Sequence, residues 1–154
     1  MTELKKVVIT AAFTILGGIF VYVIGQIFSK FFIDPLHDLR KAVGEVRFNL
    51  AFHRSTIHTP SARSKDRSDK AKKALMNSSC ELIAKLYTVP LYGVTRLLTF
   101  GVLPCRKKVE DAAVQLRGLS TYVYEEGQEA SNSIKVINKR VAKIEKLLGL
   151  KPLE

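Results

Sequence analysis

Strand-like alternation of apolar and polar residues is missing over any useful length, and so are the short motifs that announce most chemistries. There is no His-Glu-x-x-His pair for zinc, no Gly-x-Ser-x-Gly nucleophile turn, no phosphate-binding P-loop and no glycine-rich dinucleotide turn. Gly17-Gly18 sits inside an apolar run, where it cannot cradle a phosphate. Cysteine is scarce: Cys80 and Cys105 stand in separate apolar contexts, with no second Cys or His at ligand spacing. They read as two small buried hydrophobes, kept reduced in a cytosolic domain. The histidines are His37, His53 and His58, and none has a partner at metal-ligand spacing. His53 falls on an apolar helical stripe, where a packed core residue is the plainer reading. The chain therefore reads as non-enzymatic, with no catalytic residue, no metal and no cofactor.

Acidic residues are also few. Fourteen Asp and Glu face 25 Lys and Arg, which gives a formal net charge of +11 and a pI near 9.8. Charge of either sign is absent from Val7 to Phe28, VVITAAFTILGGIFVYVIGQIF. A bilayer-crossing helix needs about 20 mostly apolar residues, because the hydrocarbon core is about 30 Å thick and each residue rises about 1.5 Å. A cleaved secretory signal has a shorter apolar core, and it ends in small residues rather than in Gln26-Ile27-Phe28-Ser29-Lys30-Phe31-Phe32. A buried core helix would not need to exclude charge over the full span. The sequence thus predicts a retained transmembrane anchor over residues 1–32 and a cytosolic helical domain over residues 33–154.

Sidedness follows from the flanks. Lys5 and Lys6 stand before the span beside Glu3; Lys30, Arg40, Lys41 and Arg47 come after it, ahead of a basic remainder. Lys and Arg accumulate on the cytoplasmic side. The N-terminus is expected outside and the domain in the cytoplasm. Within the span, Ala11, Thr14, Gly18, Val21 and Gly25 form a stripe of mostly small residues. Small residues let helices approach closely in lipid, which suits a homo-oligomer. A lone helix is the alternative, since glycine is common in membrane helices. Gln26 could add an interhelical hydrogen bond near the end of the span.

The remaining pattern is helical throughout, which predicts an all-α fold: the N-terminal transmembrane helix followed by a bundle of about four helices. Asp34-Pro35 reads as a helix start with a bend before it. Leu36, Leu39, Val43, Val46, Leu50, His53 and Ile57 then fall at alternating steps of three and four, with Phe48 and Phe52 widening the stripe. Residues 58–73 are polar and turn-prone, a mobile basic loop carrying Arg63, Lys65, Arg67, Lys70, Lys72 and Lys73. A helix from about Lys70 to Thr88 would turn Ala74, Leu75, Ser78, Leu82, Ile83 and Leu86 inward. Residues 86–104 are apolar almost throughout, but Pro90 and Arg96 interrupt them. A second crossing is disfavoured, and a short helix from Pro90 to Phe100 in the core or at the membrane interface is expected. Val109, Ala112, Leu116, Leu119 and Val123 mark a helix from Pro104 to Glu126. Ala130, Ile134, Ile137, Val141, Ile144 and Leu148 mark the last, with Lys135, Lys139, Arg140, Lys143 and Lys146 on its outer face. Glu45 beside Gly44 could brace two helices through a buried arginine pair, or form an ordinary surface pair.

Asp34-Pro35 through Arg40, Gly44-Glu45-Val46, Val89-Pro90-Leu91-Tyr92, Gly101-Val102-Leu103-Pro104, Ala112-Ala113-Val114-Gln115-Leu116 and Gly118-Leu119-Ser120 carry a resemblance. They are similar to motifs of a group of uncharacterised small bacterial proteins with one N-terminal membrane helix and a helical cytosolic domain. The resemblance covers most of the chain beyond Phe32. It implies a bacterial inner-membrane setting and supplies no catalytic residues.

The favoured role is a single-pass inner-membrane protein whose basic helical domain oligomerises or recruits a protein partner. Anionic lipid is the expected partner of the basic surface, because each Lys or Arg near such a leaflet contributes about 1 kcal/mol. An oligomeric effector or channel-like assembly, in stress or phage defence, is one alternative. A membrane-tethered nucleic-acid or nucleotide binder is another. It ranks last, since the basic loop has no interleaved aromatics.

Overall fold

The computed structural model describes residues 2–59, 64–98, 103–123 and 128–152. Among these the chain is all-helical, with no strand. Helix α1 spans Thr2–Phe28 and α2 spans Asp34–Phe52, joined by a π-helical turn at Ser29–Ile33. A short α3 at Arg54–His58 comes next, then α4 at Lys65–Thr88. A second short helix, α5, covers Tyr92–Leu98, and α6 at Arg106–Tyr122 and α7 at Gln128–Leu148 complete the order.

Residues Glu3–Phe52 form one continuous helix, about 75 Å long at 1.5 Å per residue. Asp34 therefore does not start a helix. It sits in the right-handed helical region at φ −61°, ψ −49°, and its N–H donates to Ser29 O five residues back. Pro35 lacks an N–H, and in a plain α-helix its ring would press on the carbonyl four residues earlier. The wider π turn just before it relieves that crowding.

Three pairs of helices build the domain, and side-chain pairs give their direction. Along α2 and α4, Lys85 Nζ donates to Asp38 Oδ2 at 2.7 Å, and Asn49 Nδ2 to Ser78 Oγ at 2.8 Å. Residue numbers rise on one helix and fall on the other, so the two are antiparallel. Between α4 and α6, Ser79 Oγ donates to Ala113 O at 2.8 Å, and Arg106 lies over the Tyr87 ring, 4.6 Å from its centroid. Between α6 and α7, Arg140 pairs with Gln115 while Lys146 approaches Lys108 across a cavity. These pairings are antiparallel too. The domain consequently has two ends. Near where α2 begins lie the end of α4, α5, the start of α6 and the end of α7. The far end holds α3, the start of α4 and the end of α6.

The expected stripes form the core. Leu39, Val46, Leu50 and Ile57 are buried, as are Leu75, Leu82 and Leu86 on α4. Val109, Ala112, Leu116, Leu119 and Val123 are all buried, as are Ile137, Val141, Ile144 and Leu148. Phe48 and Phe52 do not widen the α2 stripe: they are 62% and 70% exposed and stack on each other, with centroids 5.6 Å apart. Each lies two positions, or about 200°, from the core residues Val46 and Leu50. His53 is half-buried at the end of α2, edge-on to Phe52, rather than a packed core residue.

Candidate membrane-facing and basic surfaces

α1 is the one helix among the described residues that is long and apolar enough to cross a membrane. None of that span is buried by the rest of the chain. Its apolar side chains point in all directions; Phe13, for example, is 73% exposed. A helix of this kind buried in a soluble core would be covered on at least one face. Ala11, Thr14, Gly18, Val21 and Gly25 lie on one side of α1 and are exposed. A Cβ added at Gly18 or Gly25 would meet nothing within 4 Å. Thr14 Oγ1 donates to Thr10 O at 2.9 Å, so this hydroxyl is satisfied within its own helix. Gln26 Nε2 donates to the Tyr22 hydroxyl at 3.3 Å, again within α1.

The structure divides the basic residues into two groups. Lys65, Arg67, Lys70, Lys72 and Lys73 are on α4, not in a loop; Arg63 lies outside the described residues. The helix begins five residues earlier than the composition suggested. Ser64 caps it by accepting from Arg67 N–H at 3.4 Å, and Lys70 pairs with Asp66 at 2.8 Å, one turn apart. This group stands at the end of the domain far from α1, around Phe52, His53 and Thr56. Lys135 and Lys139 are exposed beside it on α7, near Asn138, whose Oδ1 lies 2.7 Å from His58 Nδ1. Lys143 is exposed further along α7. Lys146 belongs to the other end, where it lines an open cavity of about 250 Å³ with Arg96 and Lys108.

Arg140 is not part of the outer basic face. Its Nη1 donates to Gln115 Oε1 at 2.8 Å, and its guanidinium lies 5.3 Å from the centre of the Tyr122 ring. Gly118 makes room for it: a Cβ there would come within 2.5 Å of Arg140 Nη1. Glu45 is exposed and Gly44 faces open space, so no buried glutamate–arginine pair braces α2. The ion pair that joins α2 to α4 is Asp38–Lys85. Lys85 holds the Asp38 carboxyl below the usual carboxylate range, and Asp38 raises the Lys85 ammonium in turn. Burial lowers the His53 imidazole. Both cysteines are free, but Cys80 is exposed and Cys105 half-buried, so neither is a core hydrophobe.

The α5 segment is the feature that sequence reasoning left open. Tyr92 and Thr95 face inward: the Tyr92 hydroxyl donates to Pro104 O at 2.8 Å, and Thr95 Oγ1 to Pro90 O at 3.1 Å. Burial raises the Tyr92 phenol. Leu91 and Leu97 face outward, 68% and 79% exposed. Leu91 has φ +44°, a conformation that costs an ordinary residue about 1–2 kcal/mol and that glycine adopts freely.

Among the described residues no three His, Cys, Asp or Glu side chains converge as metal ligands would. Comparison with protein families, with curated proteins and with solved structures finds no match.

Proposed function

We infer that this chain is a single-pass protein of a bacterial inner membrane, with α1 across the bilayer and residues 33–154 in the cytoplasm. There α2, α4, α6 and α7 form a four-helix bundle that oligomerises or recruits a protein partner. The observation that carries this reading is α1 itself, apolar on every side and covered by nothing in the chain. A surface of that size exposed to water is far larger than the apolar patches of soluble monomers.

Helix phase supports self-association. A π turn holds one residue more than an α turn, so it rotates the helix beyond it by about 100°. Gly25 and Gly44 would stand about 100° apart in an unbroken α-helix, and the π turn at Ser29–Ile33 cancels that offset. The open side of α2, with Gly44 and the exposed Phe48, thus continues the direction of the Ala11–Gly25 stripe. A second copy could pair along both segments at once.

The position of the cations refines the lipid partner. Lys65 to Lys73 stand about 25–40 Å from the start of α2, by the antiparallel register of α2 and α4 at about 1.5 Å per residue. Surface charge is screened within about 8 Å at physiological salt, so this group is not what holds the domain to the leaflet. Arg40, Lys41, Arg96, Lys108 and Lys146 at the near end are better placed.

Exposed Cys80 supplies the test. With Cys105→Ser to leave one thiol, a membrane-impermeant maleimide should label Cys80 in inverted vesicles and not in intact cells stripped of their outer membrane. Labelling from the outside would reverse the sidedness, and equal labelling of a soluble form would remove the anchor. Disulfide trapping through Gly44→Cys in a Cys80→Ser, Cys105→Ser background should give a dimer band in inverted vesicles, and its absence would remove self-association along α2.

A further inference from the structure

Helix α5 and the turn before it have an apolar outer edge at the end of the domain nearest α1. Asp38 pairs with Lys85 across antiparallel helices. Stepping from Lys85 toward the end of α4 while stepping back from Asp38 along α2 brings Thr88 level with Pro35. Leu91 follows three residues later, past the end of α4 and at this same end of the domain. The uncharged stretch of the long helix ends before Lys30, about 8 Å along the axis from Pro35, and Phe31 and Ile33 between them are exposed. Leu91 and Leu97 are therefore exposed at the end of the domain that α1 enters.

We propose that α5 is a second, shallow membrane contact: Leu91 and Leu97 enter the anionic leaflet that α1 crosses, and cations around them meet the headgroups. This rests on the reading of α1 as a membrane anchor. Three observations converge. The outer edge is apolar while the inner one is fastened to the domain by the Tyr92–Pro104 and Thr95–Pro90 hydrogen bonds. Leu91 is held outward in a strained backbone conformation at a turn where glycine would relax, which marks a side chain kept for what it contacts. The flanking side chains suit a headgroup layer: Arg96 is exposed on α5 and lines the 250 Å³ cavity with Lys108 and Lys146, and exposed Tyr87 carries Arg106 over its ring. Apolar residues entering about 5–10 Å, with basic residues at the rim, are how interfacial helices bind anionic bilayers.

The protein has no tryptophan, so a single introduced one reports without background. Leu97→Trp, Leu16→Trp and Phe52→Trp replace exposed residues on α5, on α1 and at the far end of the domain. Each full-length variant is reconstituted into phosphatidylglycerol–phosphatidylcholine vesicles, with lipids brominated near the headgroup or deep in the acyl chain. A retained helical circular-dichroism spectrum certifies the fold. The expected result is that shallow bromine quenches L97W about twofold and deep bromine quenches L16W, as their depths require, while F52W is unaffected. If L97W matches F52W while L16W is quenched, the α5 contact is overturned and the anchor stands. If L97W emission is blue-shifted without quenching, α5 is covered by protein rather than lipid, which also overturns it. If L16W itself escapes quenching, the anchor reading fails and takes this inference with it.

Discussion

Helices α1 and α6 are built from similar apolar residues but distribute them differently. In α6, Val109, Ala112, Leu116 and Leu119 make one narrow stripe, and every one is buried while Arg117 and Lys107 face water. In α1 the apolar residues go all the way round, and none is covered by the chain. The width of the stripe names the solvent. A helix with one apolar side is folded by its neighbours, whereas one apolar on all sides needs lipid or other chains around it. The contrast is sharpened by mutations that should matter on one helix and not on the other.

The largest effect is expected from cavity formation. Leu116→Ala removes a fully buried side chain and should cost the domain about 2–5 kcal/mol in urea unfolding in mild detergent. Leu16→Ala on α1 should leave the same transition unmoved, because nothing in the domain touches it. A charge reverses the sensitivity. Ile19→Arg places a cation at mid-span, where it costs about 2.5–3.5 kcal/mol of insertion, so the membrane-bound fraction on fractionation should fall. Val114→Arg, on the exposed side of α6, should change neither fractionation nor stability by more than about 0.5 kcal/mol.

A smaller and opposite effect is expected at Leu91. Leu91→Gly relieves the positive-φ strain and should stabilise the domain by up to about 1 kcal/mol in detergent, the strain relief exceeding the entropy glycine adds to the unfolded chain. The smallest is at the α2–α4 ion pair. Asp38 is lowered from 3.8 and Lys85 raised from 10.5. The Asp38 contribution is therefore present above about pH 4 and lost as pH falls through its folded value; the Lys85 contribution is present below about pH 10 and lost as pH rises through its own. Asp38→Asn should lower Tm by a constant amount across neutral pH, with the difference from wild type vanishing at both extremes. A difference that did not shrink as pH fell below about 4 would mean that the pair is not its source.

Most of the fold was legible because helix periodicity reports burial directly. The stripe on α6 is buried as spaced. On α7 Ile137, Val141, Ile144 and Leu148 are buried and Ile134 half-buried, while the side chain of Ala130 lies outside the described residues. On the first stripe Leu39, Val46, Leu50 and Ile57 are buried and Leu36, Val43 and His53 half-buried. Three of the readings that failed have identifiable reasons. Asp34-Pro35 signals a start only where the preceding turn is α-helical; a π turn admits proline in mid-helix, and no sequence signal marks one. Phe48 and Phe52 looked like core because they are large and near the stripe, yet a step of two residues turns them to the opposite side. Residues 65–69 looked like loop because they are polar, although Ser64 before Asp66 and the Asp66–Lys70 spacing are an N-terminal cap and a one-turn ion pair. The surfaces were less legible than the core. Arg140 shares the spacing of its solvated lysine neighbours, and only the absence of a side chain at Gly118, on another helix, lets it turn inward. The split of the cations between two ends likewise depends on antiparallel packing, which charge counting does not contain.

The central claim is that α1 lies across a bilayer. Alkaline carbonate extraction of membranes from cells expressing the full chain tests it most directly: the account predicts that the protein stays in the pelleted membranes and is released by detergent, and recovery in the carbonate supernatant would contradict it.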